Sequence, residues 1–394
     1  VTITQHTPGG GSQQFMAPQP LDRLVRKEVA LGQIREIEKP QDHIGLSVVA
    51  PFQEVATDEV IFDYVQGLTS GLAPARAEDA ESELAQKDDM ALGQGRASVI
   101  DWALKDHYSA SDVARYREYA RLAELAAGNN FPLTVTSQTE DFASKIARDD
   151  ALRRRKLDNR LEWLIMTGLS AGVLAYNDGK IKFSVDYGRP GGQSAQAPAS
   201  GTYAAATHDP INDIIAVDET MYDLYGVHTN RAIISKKALL RMARASKFGT
   251  KAGFVGDGTG GVVSGDPYYL IPGYGPQYAI DLIKEQTGID FIVYDSVYRT
   301  RAVGAQNITN NRFMPENRVI FLPDEAQLNE FDDTQIGFAK TLTSPHPEGN
   351  WSPGFYEWEK DTGPDPWGTD RGTGIKAFPV FLHLDKTYTW DLTL

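Results

Sequence analysis

The feature that most constrains this chain is a long charged helix that runs straight into a hairpin. Ser137-Gln-Thr-Glu140 fits a capping box, in which the Ser hydroxyl and the Glu carboxylate each satisfy a free backbone amide. From there Phe142, Ile146, Leu152, Leu157, Leu161, Leu164 and Ile165 fall on one broad helical face, which predicts a helix to about Leu169. At the helical rise per residue it is roughly 45 Å long, more than an ordinary globular core helix needs. Immediately after it, Val173 to Tyr176 and Ile181 to Tyr187 flank Asn177-Asp-Gly179. Those three residues tolerate the positive φ of a tight turn, so a two-stranded hairpin is predicted there.

The flanking regions read differently. Val1 to about Pro20 is rich in Gly, Gln and Pro and buries too little apolar surface to offset ordering, so an extended arm is expected. No sustained helical period marks Leu21 to about Phe52. Pro51 to His107 alternates apolar clusters with charged stretches such as Ala77-Glu-Asp-Ala-Glu-Ser-Glu-Leu84, which suggests a projecting loop or ribbon. Ser111 to Ala127 has helical spacing and a Gly128-Asn129 stop. A Gly, Pro, Ser and Ala linker from Gly188 to about Ala206 marks a boundary.

Beyond that boundary the chain mixes helices and strands. Arg231 to Ile234, Asp290 to Tyr294 and Arg318 to Leu322 read as strands, and Lys236 to Lys247 and Tyr278 to Gln286 as helices. Phe378 to Leu384 is an apolar run, and Tyr388, Trp390 and Leu392 alternate with polar residues as in a half-buried strand.

Composition removes several classes of function. The 394 residues contain no cysteine, which excludes disulfide scaffolds and thiolate chemistry. The net charge of −14 argues against tight sequence-independent binding to phosphate backbones. No apolar run suffices to cross a bilayer and the start lacks a basic region followed by an apolar stretch, so a soluble protein made in a cytoplasm is expected. A start at Val1 without Met fits either loss of the initiator or processing.

Candidate chemistry mostly dissolves under inspection. Gly256-Asp-Gly-Thr-Gly-Gly261 has the letters of a dinucleotide loop, but Val262-Val-Ser-Gly-Asp-Pro267 is a poor helix start, and a loop is the better reading. His6, His43, His107, His208, His228, His346 and His383 form no short ligand pair. His383 reads as a strand residue facing away from Leu382 and Leu384. Asp149-Asp150 and Asp332-Asp333 read as solvated faces. Arg153-Arg-Arg-Lys156 is the sharpest basic feature; Asp149, Asp150, Asp158 and Glu162 stand three or four positions away and can pair with it. Arg153, Arg154 and Arg155 are the candidate subunit-interface residues, their pairs being taken as exposed and weak. No catalytic residue, cofactor or metal is expected, and the chain reads as no enzyme.

The order of certain stretches resembles the lambda-type major head protein family of tailed bacteriophages. They are Asp149 to Gly172, Lys180-Ile-Lys-Phe-Ser-Val-Asp-Tyr-Gly-Arg-Pro190, Asp209-Pro-Ile-Asn-Asp-Ile214, Ala232 to Met242, Asp290 to Asp295 and Phe313 to Leu322. The resemblance covers about residues 140 to 394 and implies an α+β chain of the Hong Kong 97 capsid type. It implies an N-terminal arm over 1–50, an extended loop over 51–108 and a peripheral domain with a spine helix over 109–200. An axial domain over 201–344 and a return to the peripheral domain over 345–394 complete it.

The function so implied is a major capsid protein that forms hexamers and pentamers in an icosahedral shell around double-stranded DNA held without sequence-specific binding. Scaffolding, portal and decoration proteins are the implied partners, no membrane is involved, and the virion capsid is assembled in the bacterial host cytoplasm. Two other readings remain: an encapsulin-like compartment shell, and an α/β enzyme using the Gly256 loop.

Overall fold

The computed structural model describes residues 27–37, 40, 42–66, 91–109, 111–112, 136–179, 181–201, 208–243, 276–301, 306–328, 337–362 and 368–392. The arm to Pro20, the acidic stretch Ala77 to Leu84, the predicted helix beyond Asp112, the Gly256 loop and Asp332-Asp333 lie outside these residues. The contacts divide the chain into two compact units.

One unit comprises 1–37, 103–153 and 355–374. Helix α1 (Lys27–Glu36) corrects the expectation of no helix in this stretch. Leu31 and Ile34 are buried, and Gly32 between them weakens the local helix propensity. Packing on a strand supplies what local sequence does not: α1 lies against β15 (Phe355–Thr362), and Arg35 Nε donates to the Phe355 carbonyl at 3.3 Å.

Strand β15 neighbours β16 (Gly368–Phe381), with which β4 (Ile100–Ser109) also pairs. Strand β4 takes up the last part of the segment expected to be a loop. Two glycines of β16 lie directly under aromatic rings of β15: a Cβ on Gly372 would overlap Trp358, and one on Gly374 would overlap Tyr356. The rings cover strand positions that carry no side chain.

Helix α2 (Thr136–Ala171) is continuous for 36 residues. At the helical rise this is about 54 Å, longer than expected. It ends where Gly172 adopts φ 77° and its amide returns to the Gly168 carbonyl. Ile146, Leu157, Leu161, Leu164 and Ile165 are buried as expected, whereas Leu152 is 50% exposed.

The second unit comprises 38–102, 154–354 and 375–394. The predicted hairpin is β5 (Val173–Asn177) with β6 (Lys182–Asp186), closed by Asn177 and Asp178 side chains that accept from the Gly179 and Ile181 amides. Strands β2 (Glu59–Gln66) and β3 (Ala91–Ser98) form an antiparallel ribbon inside the expected loop. Strand β1 (Phe52–Glu54) runs parallel to β12 (Ala339–Thr343), whose other edge pairs with β16 between Ala377 and Phe381.

A second sheet has the order β17 (Tyr388–Asp391), β11 (Arg318–Pro323), β7 (Thr229–Ile234), β8 (Asp290–Val293). Against one face pack α3 (Pro210–Tyr225), α4 (Lys236–Ala243) and α5 (Pro276–Thr287). Met221, Leu239, Met242 and Ile283 meet Ile234, Phe291, Phe321 and Trp390 there. Each such side chain, fully buried, contributes about 1.5–3 kcal/mol. His383 is a correction: it is buried, but it precedes the short helical turn Leu384–Lys386 and is not a strand residue. No described helix is long and apolar enough to cross a membrane.

Candidate functional site

The arginine cluster of α2 was expected at the surface, and the structure corrects this for two of its three members. Arg153 and Arg154 are 1% and 4% exposed, and Asp150, Asp158 and Glu162 are buried with them. Arg155 is exposed. The reason is register: positions 150, 153, 157, 161 and 164 advance by three and four, so Asp150 and Arg153 continue the stripe begun by Leu157, Leu161 and Leu164.

Within the first unit these charges meet partners from the neighbouring strands. Arg153 donates to Asp150, to Asp106 Oδ2 of β4 at 2.5 Å and to Thr373 Oγ1 of β16 at 3.0 Å. Arg371 donates to Asp150 Oδ2 at 2.9 Å and to Glu359 at 3.3 Å. Glu357 Oε1 lies 2.5 Å from Arg371 Nε, but that N–H is aimed at Asp150 Oδ1, so Glu357 gains a charge contact without an aligned hydrogen bond. Two guanidinium groups thus serve four carboxylates.

The electrostatics follow. Burial works against the charge of Arg153, yet Asp150, Asp106 and Tyr108 together outweigh it and hold the guanidinium above its ordinary value. Burial pushes the Glu357 carboxyl up to about 7, against the pull of Arg371 and with the push of Asp150. Burial lowers Arg154, and Asp158, which accepts from its Nε at 3.1 Å, opposes that.

In the second unit, α2 carries two further polar ties. Glu162, fully buried, accepts the amides of Gly45 and Leu46 at 2.9 Å each and the Tyr294 hydroxyl at 2.6 Å. Burial raises its carboxyl and these three donors oppose the rise. Gly45 has no room for a Cβ, which would stand 2.7 Å from Glu162 Oε2. At the C-terminus of α2, Arg189 donates to the Leu169 carbonyl at 2.5 Å and to Thr387 Oγ1 at 2.9 Å, satisfying an end group the helix leaves free.

A third grouping has the letters of a hydrolase: Ser200, His208 and Asp213. Ser200 Oγ lies 2.9 Å from His208 Nδ1 and donates to Asp213 Oδ2 at 2.5 Å, while Asp213 is 3.5 Å from that same Nδ1. A relay needs the two ring nitrogens to face different partners. Here both face one nitrogen, and with Asp209, which accepts from the Asn212 amide, the group caps α3. Among the described residues no group of three or more His, Asp or Glu is placed to hold a metal.

Sequence reasoning found Arg153, Arg154 and Arg155 but not Arg371, Glu357 or Arg189. It also named Glu162, but as a partner for the arginines, whereas Glu162 accepts from the Gly45 and Leu46 amides and the Tyr294 hydroxyl. Arg371 and Glu357 carried no signal, because a strand gives no hint of which helix will face it. The chemistry of the site is mutual neutralisation, with each guanidinium fastening a strand to α2. A model of the phage major capsid protein E family matches residues 31–331, and the chain belongs to that family. It builds a phage capsid shell, and its mixture of helices and strands is of the expected α+β class.

Solved structures similar to the chain include a prophage capsid protein of E. coli CFT073, with 14% identity, 77% of this chain and 81% of that chain covered, and a TM-score of 0.47. Another is a phage-related protein of Bordetella bronchiseptica RB50, at 14% identity, 93% and 96% covered, TM-score 0.46. The encapsulin of Synechococcus elongatus PCC 7942 is similar at 11% identity, 94% and 96% covered, TM-score 0.38. No curated protein matches the chain.

Proposed function

We propose that the chain is the head subunit of a tailed phage, forming hexamers and pentamers of an icosahedral shell around double-stranded DNA, and that it acts by cohesion and not by catalysis. The family match over residues 31–331 carries this reading. Assembly takes place in the host cytoplasm, with scaffolding, portal and decoration proteins as partners, and DNA is held without sequence-specific contacts, in keeping with a net charge of −14.

The working division for assembly is an arm over 1–50, an extended loop over 51–108, a peripheral domain over 109–200 and 345–394, and an axial domain over 201–344. Of the three arginines, Arg155 is the exposed one and the residue we retain at a subunit interface. Negative-stain microscopy of the expressed protein tests the function: closed shells with six- and five-fold capsomers are expected. A protein that stays monomeric or dimeric at high concentration overturns the reading, and shells holding protein cargo in place of DNA favour the compartment.

A further inference from the structure

The four-stranded sheet of the second unit has ends of opposite charge. At the start of β7, Asp218 accepts from the Thr229 amide at 2.6 Å, and Tyr222 stacks on His228 with ring centroids 4.3 Å apart. Beyond that anchored turn α3 exposes Glu219 and Asp223, together with Tyr222 and Leu224, which are 50% and 60% exposed. Tyr222, with one face on His228, and Leu224 thus leave apolar surface beside these two carboxylates, a ridge at this end of the sheet.

At the far end of β7, about 20 Å away along a six-residue strand, lies a cleft of about 450 Å³. Lys236, Lys237 and Arg241 of α4 and Arg312 line it, with Leu240 as an apolar surface. Glu316 offsets Lys237 at 2.5 Å and Asp295 offsets Arg312 at 2.8 Å. Four cations against two carboxylates leave the cleft basic, in a chain whose net charge is −14.

We propose that this cleft receives the Glu219 to Leu224 ridge of α3 from a second copy of the chain. Glu219 and Asp223 meet Lys236 and Arg241, while Tyr222 and Leu224 cover Leu240. Because ridge and cleft stand at opposite ends of one sheet, the contact is head-to-tail, the kind that closes into rings. The inference rests on the shell reading and names the surfaces that join neighbours within a capsomer.

The test reverses charges in the full chain: E219K/D223K, K236E/R241E, and all four together. All four side chains are exposed, and each variant should melt with the wild type as a free subunit. Each two-site variant is expected to lower the yield of closed shells by about tenfold or more, since like charges then face each other, and the four-site variant to restore most of it. An equal mixture of the two two-site variants should form six-membered rings, in which they alternate, but not five-membered ones, where one joint stays mismatched. Normal shell yield in either two-site variant overturns the proposal, as does a four-site variant that melts normally without restoring assembly. So does normal assembly with loss of packaged DNA, which would assign the cleft to phosphate. A wild type that builds no shells would instead remove the reading beneath it.

Discussion

Arg153 is held between Asp150, Asp106 and Thr373 with 1% of its side chain exposed, and a buried ion of this kind is stable only with all its partners. Removing one side of a buried pair leaves an uncompensated charge, at about 3–5 kcal/mol. Arg153→Gln is therefore expected to lower stability by that order in urea titrations, many times the effect of an exposed pair; a loss below about 0.5 kcal/mol would place Arg153 with surface arginines. Glu357 gives a pH signature. Its folded carboxyl is raised to about 7 from an ordinary 4.5, so between those values the folded chain keeps a proton that the unfolded chain has released. Its contribution to stability is present below the lower value and is lost as pH rises through the upper one. The melting temperature of Glu357→Gln, relative to wild type, should climb between pH 5 and pH 8. A constant difference would show that Glu357 does not titrate in this range.

At the scale of elements, the fit of β15 over β16 depends on absent side chains. Gly374→Val would drive two methyl groups into the Tyr356 ring, and overpacking of this sort costs about 1–3 kcal/mol. A clear fall in melting temperature is expected, with Tyr356→Ala in the same chain recovering part of it by making room. Helix α2 and its hairpin were legible because their signals are local, a stripe of apolar residues and an Asn-Asp-Gly turn, although the helix begins at Thr136, one residue before the Ser137 expected to cap it. Helix α1 was not, since Gly32 interrupts its propensity and a strand about 320 positions away packs on it, and α3 was missed although Asp209-Pro210 is a helix start and Gly226 a stop. The buried charges of the candidate site were misread for another reason. Sequence shows which charges lie one turn apart on α2, but the strand residues Arg371 and Glu357 that draw them inside are some 200 positions distant.

For the whole molecule, the interface role proposed for Arg155 can be tested apart from folding. Arg155→Gln touches an exposed side chain and should leave the melting curve of the free subunit within about 0.5 kcal/mol of wild type. The yield of closed shells is expected to fall; an unchanged yield would remove Arg155 from the interface. The pairing of β1 with β12 has a consequence of its own in time. Thr341 donates to the Ala50 carbonyl across 291 positions of sequence, and the two strands align in parallel beside that bond. A ribosome must therefore emit almost the whole of that span before β1 meets its neighbour, and the loop to be closed carries its entropy cost ahead of any reward. Until then β1 is an open edge in a crowded cell that makes the same chain many times over, so the early life of the subunit is a race between its own late-arriving strand and the wrong partner beside it.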